Sequence, residues 1–306
     1  MKLYPTPYGY FAGIIYCQLR SRHYFVMMRV LICGKNEPMD ELVLLKLGGS
    51  LITDKTMPYT PRFDKLAELS AQISAALRTA PNLSLVLGHG SGSFGHTAAT
   101  QYHTRDGVGT GELRPYWRGF AEVWYQAAQL NRFVMDALHN EEVPSLALGP
   151  VSAVIASDGK VASWDLVPLK AALAAGLAPV IHGDVIFDEA RGGTILSTED
   201  LFEYIARLLH PQRILLAGLE EAVWADFPGR KIRVEKITPA SFDGVRAGLG
   251  ASHGADVTGG MDSKVRQMLA LVQEVPGLPA QIFSGEQPGN LQRALAGETL
   301  GTLIAA

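Results

Sequence analysis

Cysteine is nearly absent from this 306-residue chain: there are two, Cys17 and Cys33, and none follows them. The rest of the sequence can therefore build neither a disulfide framework nor a cysteine-ligated metal site, and no metal ligand set is expected. No apolar run approaches the roughly eighteen residues that a membrane-spanning helix needs. A dominant charge is missing too, since 27 Lys and Arg stand against 30 Asp and Glu for a formal net charge of −3. That balance gives no global drive toward nucleic acid or an anionic membrane. A cytoplasmic protein with neither partner is the expectation. The phosphate-loop pattern G-x-x-x-x-G-K-[ST] does not occur, which disfavours a P-loop kinase. What the sequence does have is 47% hydrophobic residues, enough for a full core, and 32 glycines.

These totals conceal an uneven chain. Residues 1–38 hold both cysteines and five basic residues (Lys2, Arg20, Arg22, Arg29, Lys35) against one acid, Glu37, a balance of +4. The remainder carries 22 basic against 29 acidic residues, a balance of −7. A signal peptide is a poor match, because the run Phe11–Leu19 is short and broken by Tyr, Cys and Gln. A small ordered extension stays open. The preferred expectation is an N-terminal extension that is disordered or results from a start upstream of Met39, which directly precedes the first strong strand.

From residue 39 onward, short apolar runs alternate with helical patterns, the βαβ signature of a mainly parallel sheet covered on both faces. Leu42–Leu47 reads as a doubly buried strand ending in Gly48-Gly49-Ser50. Helices are expected over 63–80, 116–139, 166–175, 200–209 and 262–275. Further strands are expected over 83–87, 145–148, 179–182, 214–217 and 281–283, with a glycine-rich turn over 88–96. No repeat or Pro/Ser-rich linker divides residues 39–306. They read as one domain with two lobes, about 39–205 and 206–306.

The chemistry is suggested by glycine turns that follow strands, each with a lysine nearby. Glycine lets backbone N–H groups approach phosphate oxygens, and a helix N-terminus behind such a turn adds positive partial charge. Lys46 lies inside an apolar strand, a costly position unless the ammonium meets an anion. Lys55 follows the first turn, His96 closes the second, and Lys264 ends Thr258-Gly-Gly-Met-Asp-Ser-Lys264. Three lysines beside three glycine turns suit phosphoryl transfer, whose transition state is stabilised mainly by positioning and cations. Each residue also has a plainer structural reading: a lysine reaching solvent, a tight turn, or an acid such as Asp200 at a helix start. Gly90-Ser-Gly92-Ser-Phe-Gly95 formally matches the dinucleotide fingerprint. It is not the first βα turn, however, so a nicotinamide oxidoreductase is a weak rival.

Taken together, Lys46-Leu-Gly-Gly-Ser50, Ile52-Thr-Asp-Lys55, His89-Gly-Ser-Gly-Ser-Phe-Gly-His96, Gly183-Asp-Val185, Ser197-Thr-Glu-Asp200 and Asp256-Val-Thr-Gly-Gly260 with Lys264 resemble the amino acid kinase superfamily, and within it the isopentenyl phosphate kinases. The resemblance implies a three-layer αβα sandwich, ATP with Mg²⁺, a prenyl phosphate acceptor and a homodimer. It implies that Lys46 contacts the terminal phosphates of the nucleotide, that Lys55 stabilises the phosphoryl group in flight, and that Asp200 orients the lysines. Gly48, Gly49, Ser50 and Gly92 would surround the transferred phosphate, with Gly218, Trp224, Gly260 and Lys264 on the ATP side. Ser91, Gly92, His96 and Gly183 would hold the acceptor's phosphate. No general base is implied, because the acceptor is already an anionic oxygen.

Phe120, Val123, Val185 and Ile195 match the family's tail pocket, and all four are apolar. That suits a five-carbon prenyl chain better than the small polar epoxide of fosfomycin, whose kinase is the nearest alternative. The sequence departs from the family in two places. Gly90-Ser91-Gly92 replaces three glycines, and Ala217-Gly-Leu-Glu-Glu-Ala-Val-Trp224 replaces Thr-Asp-Val-Asp-Gly-Val-Tyr on the nucleotide side. The second departure also admits a catalytically weakened nucleotide-sensing module.

Overall fold

The structure is a computed structural model that describes residues 41–108, 113–246 and 260–306. The extension 1–38, Met39 and Asp256–Gly259 of the third glycine turn lie outside the described residues.

The strands are β1 (Glu41–Leu47), β2 (Leu83–His89), β3 (Ser145–Ala147), β4 (Val154–Ser157), β5 (Lys160–Trp164), β6 (Ala178–His182), β7 (Asp184–Asp188), β8 (Gly192–Leu196), β9 (Arg213–Gly218), β10 (Val223–Trp224), β11 (Arg233–Val234), β12 (Lys236–Ile237), β13 (Ala280–Ser284) and β14 (Thr302–Ile304). The helices are α1 (Gly49–Ile52), α2 (Phe63–Thr79), α3 (Gly92–Tyr102), α4 (Leu113–Asn140), α5 (Val167–Ala174), α6 (Thr198–Leu209), α7 (Phe242–Arg246), α8 (Gly260–Glu274) and α9 (Asn290–Leu295). Eight strands form the main sheet in the order β12-β14-β13-β9-β1-β2-β6-β3. All neighbours are parallel except β13 and β14. Because β9 pairs with β1, one sheet runs through both expected lobes.

The three layers follow from the two-residue period of a strand. On β1, Leu42 and Leu44 pack with Leu201, Phe202 and Ile205 of α6 and with Val265 and Met268 of α8. Val43, Leu45 and Leu47 point the other way, against Leu66, Leu69 and Ile73 of α2 and Leu130 and Val134 of α4. Lys46 continues the Leu42–Leu44 face, so the register alone sends its side chain toward the α6 layer. A third, smaller cluster joins Ala98 and Ala99 of α3, Tyr116, Phe120 and Val123 of α4, and Val185 of β7, with Ile195 packed against it.

Three features depart from the sequence expectation. The strand through Leu87 extends to His89 and the next helix begins at Gly92, so the expected turn over 88–96 shrinks to Gly90-Ser91. The alternating chain also carries a second sheet, β5-β4-β7-β8, which is mostly antiparallel. Finally β10 and β11 pair as a hairpin beside the β9 end.

Candidate active site

In open α/β sheets, ligands sit beyond the carboxyl ends of the strands where the strand order reverses direction. Here β2 departs to one side of β1 and β9 lies on the other, and a cavity of about 440 Å³ opens at their carboxyl ends. Lys46, Gly48, Gly49, Ser50, Lys55, Ser91, Gly92, His96, Gly183, Ile195, Gly218, Trp224, Gly260 and Lys264 all line it. Residues 218 positions apart in sequence thus converge on one space. Asp200, Phe120, Val123 and Val185 do not line it.

The first two glycine turns interlock. A Cβ on Gly49 would lie 2.4 Å from Gly92 N, and one on Gly92, whose φ is +50°, would lie 2.1 Å from Thr53 Oγ1. Backbone meets backbone here, so a side chain at either position would drive the turns apart. Not every glycine amide remains available to a phosphate. Gly48 N donates to Ala217 O at 2.8 Å and Gly183 N donates to His89 O at 3.3 Å. Their contribution is close approach rather than donation. Gly49 and Ser50 open α1, where the first amides have no acceptor within the helix. Ser91 caps α3, so the second turn also meets a helix N-terminus.

Lys46 is buried and ion-paired with Glu199, which is itself buried. Burial and the charge of Lys264 push the Lys46 ammonium's pKa down, against the pull of Glu199. Burial pushes Glu199 up, but Lys46 and Lys264 outweigh it and hold the carboxyl below its usual range. Glu199 thus holds Lys46 by contact and feels Lys264 through charge alone. Asp200, the acid expected to orient the lysines, also raises the Lys46 pKa through its charge, but its oxygens are hydrogen-bonded to other partners. Its Oδ2 accepts Ser197 N and Ser197 Oγ, each at 2.7 Å, and its Oδ1 accepts Gln267 Nε2 at 2.8 Å.

Lys55 is exposed on a loop pinned by Thr53. Asp54 N donates to Thr60 O at 2.9 Å, and Asp54 Oδ1 accepts Thr56 N at 2.8 Å. His96 sits in the second turn of α3, one helical turn beyond Gly92, with Nδ1 2.6 Å from Gly92 O. A carbonyl only accepts, so Nδ1 is the donor in this contact.

The apolar candidates meet in the third cluster. Phe120, Val123 and Val185 are buried against one another, and the cavity touches the cluster at Ile195. Tyr116, Trp117, Phe120 and Phe187 meet there as edge-on and tilted aromatic pairs. Four residues that the sequence reading did not single out also border the cavity: Glu199, Glu220, Phe227 and Arg230. Beside Gly183 lies a buried polar pair, with His182 Nε2 3.7 Å from Asp184 Oδ2 and the His182 ring stacked at 5.2 Å on His89.

The profile of the amino acid kinase family matches residues 41–284. The isopentenyl phosphate kinase of Haloferax volcanii is 37% identical over 264 residues, 86% of this chain and 98% of its own. That of Methanocaldococcus jannaschii is 31% identical over 268 residues, again 86% and 98%. A crystal structure described as isopentenyl phosphate kinase superposes with a TM-score of 0.74 at 30% identity, covering 86% of this chain and all of its own. The chain belongs to the amino acid kinase family, in its isopentenyl phosphate kinase branch.

Proposed function

We propose that the protein transfers the terminal phosphoryl group of ATP to isopentenyl phosphate, giving isopentenyl diphosphate by direct in-line displacement. The observation that carries this reading is a single cavity in which three lysines and two interlocked glycine turns border an apolar cluster. Such a site offers cations for both phosphates and a greasy wall for a short hydrocarbon tail. An acceptor oxygen that is already anionic attacks the γ-phosphorus, the bond from γ-phosphorus to the bridging oxygen breaks, and ADP carries away the electron pair. Lys55 would follow the charge on the moving phosphoryl group. Lys46, held by Glu199, would neutralise the nucleotide side with Lys264, while Ser91, Gly92 and His96 hold the acceptor's phosphate. The lobe over 39–205 supplies most acceptor contacts and 206–306 most nucleotide contacts.

Among the described residues no group of three or more His, Cys, Asp or Glu is placed to hold a metal. Glu199 is spent on Lys46 and Glu220 on Arg230. The described residues do not build a Mg²⁺ site, so Mg²⁺ would arrive on the nucleotide's own phosphates, and no step here runs through it. A cytoplasmic homodimer completes the reading.

The test is an assay with ATP-Mg²⁺ against isopentenyl phosphate, dimethylallyl phosphate and fosfomycin. Turnover of isopentenyl phosphate is expected. Absence of turnover with both prenyl phosphates would sink the proposal, and preference for fosfomycin would move the protein to the neighbouring branch.

A further inference from the structure

We propose that Glu220 is a positioning residue for the nucleotide base, fixing Trp224 and Arg230 as flat surfaces that favour a purine over a pyrimidine. The proposal rests on the reading of ATP as phosphoryl donor. Its basis is one carboxylate that collects planar donors from two points of the β10–β11 hairpin. Trp224 Nε1 donates to Glu220 Oε2 at 3.0 Å, Arg230 Nε donates to the same oxygen at 3.0 Å, and Arg230 Nη2 donates to Oε1. The guanidinium carbon lies 5.5 Å over the Phe227 ring. Glu220, Trp224, Phe227 and Arg230 all border the cavity that the three lysines border.

Charge decides which part of a nucleotide suits this group. Lys46, Lys55 and Lys264 supply positive charge for phosphates, whereas the charge of Arg230 is met by a two-pronged bond to Glu220. What the hairpin presents is therefore close to neutral, planar and partly aromatic, and Leu219 and Ala222 beside it are apolar. A neutral base fits such a surface and a triphosphate does not. An indole or guanidinium N–H lies in the plane of its group, so these bonds to Glu220 do not themselves occupy the indole face on which a base would stack. A larger purine covers more of it than a pyrimidine. Glu220 thus takes over, with different chemistry, a segment whose acids and glycine depart from the family pattern.

The experiment measures initial rates of the full chain with ATP and with CTP at saturating isopentenyl phosphate, and calorimetric binding of both nucleotides without acceptor. The variants are Glu220→Ala, Glu220→Gln, Arg230→Ala and the double variant Glu220→Ala/Arg230→Ala. Wild type should prefer ATP. Glu220→Ala should raise the ATP KM about tenfold, the scale of one lost base stack, while the CTP and isopentenyl phosphate KM values and kcat change less than about twofold. Glu220→Gln, which can still accept the indole N–H, should fall between. The double variant should match Glu220→Ala, because Arg230 acts through the carboxylate. No preference for ATP in wild type, an unchanged ATP KM in Glu220→Ala, or a parallel rise for ATP and CTP would each overturn the proposal. If Glu220→Ala does not fold, Glu220→Gln and Arg230→Ala carry the same comparison. If wild type turns over no prenyl phosphate, the proposed function fails, while calorimetry with ATP and CTP still decides the role of Glu220.

Discussion

Replacing Asp184 by Asn should make the protein more stable at neutral pH and leave it nearly unchanged near pH 4. Asp184 is buried at 1% exposure, and its Oδ1 accepts Val185 N at 2.8 Å. Burial pushes its carboxyl up from 3.8 to about 7, against the pull of the Val185 and Val151 amides. A raised carboxyl binds its proton more tightly in the folded chain, so its contribution to stability falls as pH climbs from about 4 to about 7. From 3.8 to about 7, at about 1.36 kcal/mol per pH unit, the loss is of order 4 kcal/mol, an upper bound because water can relax the site. Burial and the nearby His89 push His182 the other way, down to about 3. A base depressed in the folded state gives stability that rises with pH from about 3 to about 6.5. In wild type the two slopes oppose each other, and between about pH 4 and 6.5 they largely cancel. Asparagine keeps the oxygen that accepts Val185 N and cannot ionise, which unmasks the His182 slope. Urea unfolding of both proteins from pH 4 to pH 8 should show the variant gaining several kcal/mol on wild type across that range. A difference between the two that does not change with pH would refute the reasoning.

Glu199→Gln removes the charge that holds Lys46, and should lower kcat by about two orders of magnitude with a smaller effect on the isopentenyl phosphate KM, read by steady-state kinetics. His96→Gln should raise the acceptor KM severalfold while leaving the ATP KM within about twofold, read by steady-state kinetics. An unchanged acceptor KM would count against a role of His96 in holding the acceptor's phosphate. Lys55→Ala should slow transfer in single-turnover experiments while leaving nucleotide binding within about twofold, because the lysine meets charge that develops in the transition state. Asp188→Asn should destabilise by about 1.5–3 kcal/mol in urea titrations, since its carboxylate accepts four amides, from Asp158, Gly159, Ala190 and Arg191. Burial raises the Asp188 carboxyl and those four bonds outweigh it, so the folded group lies below 3.8; its contribution is complete above that pH and is lost as pH falls further.

The short strands β12 and β14 at one edge of the main sheet carry only two and three residues and gave no apolar run, but the other six of its eight strands were legible, five of them because they are buried on both faces and read as apolar runs. The second sheet was not, because its strands are half exposed: β5 buries only Trp164, and Ile155 and Phe187 on β4 and β7 face outward. One signal for it was present. Asp158-Gly159 joins β4 to β5 with φ of 51° and 76°, the two-residue turn with both angles positive that Asp-Gly favours in hairpins. Helical ends carried less information than helical middles. Gly92-Ser-Phe-Gly95 reads as a loop by composition, yet it begins α3, because the turn it packs against leaves no room for side chains and the helix supplies amides at that point. In the tail cluster the apolar stripe on α4 was visible, but not that Trp117 and Phe187 would meet it from outside, since that contact depends on the unforeseen β7–β8 hairpin.

Which acid serves Lys46 could have been decided from the sequence by helix-cap geometry. In Ser197-Thr-Glu-Asp200 the serine is the N-cap, and a capping box binds the side chain three residues later back to the N-cap amide. Asp200 occupies that third position, and both halves of the box form: Ser197 Oγ accepts Asp200 N at 3.1 Å while Asp200 Oδ2 accepts Ser197 N at 2.7 Å. An acid used to close its own helix end acts on the sheet lysine through its charge and leaves the contact to its neighbour. Glu199 lies about 100° around the helix from Asp200 and is one methylene longer. On β1, the period of two sends Lys46 toward the α6 layer, where the start of that helix presents Glu199. The cap and the strand register are each local rules, and together they select one carboxylate out of two adjacent ones. The same logic explains why Glu199 is ionised though buried: the sheet places Lys46 against it, and that charge together with Lys264 outweighs the cost of burial.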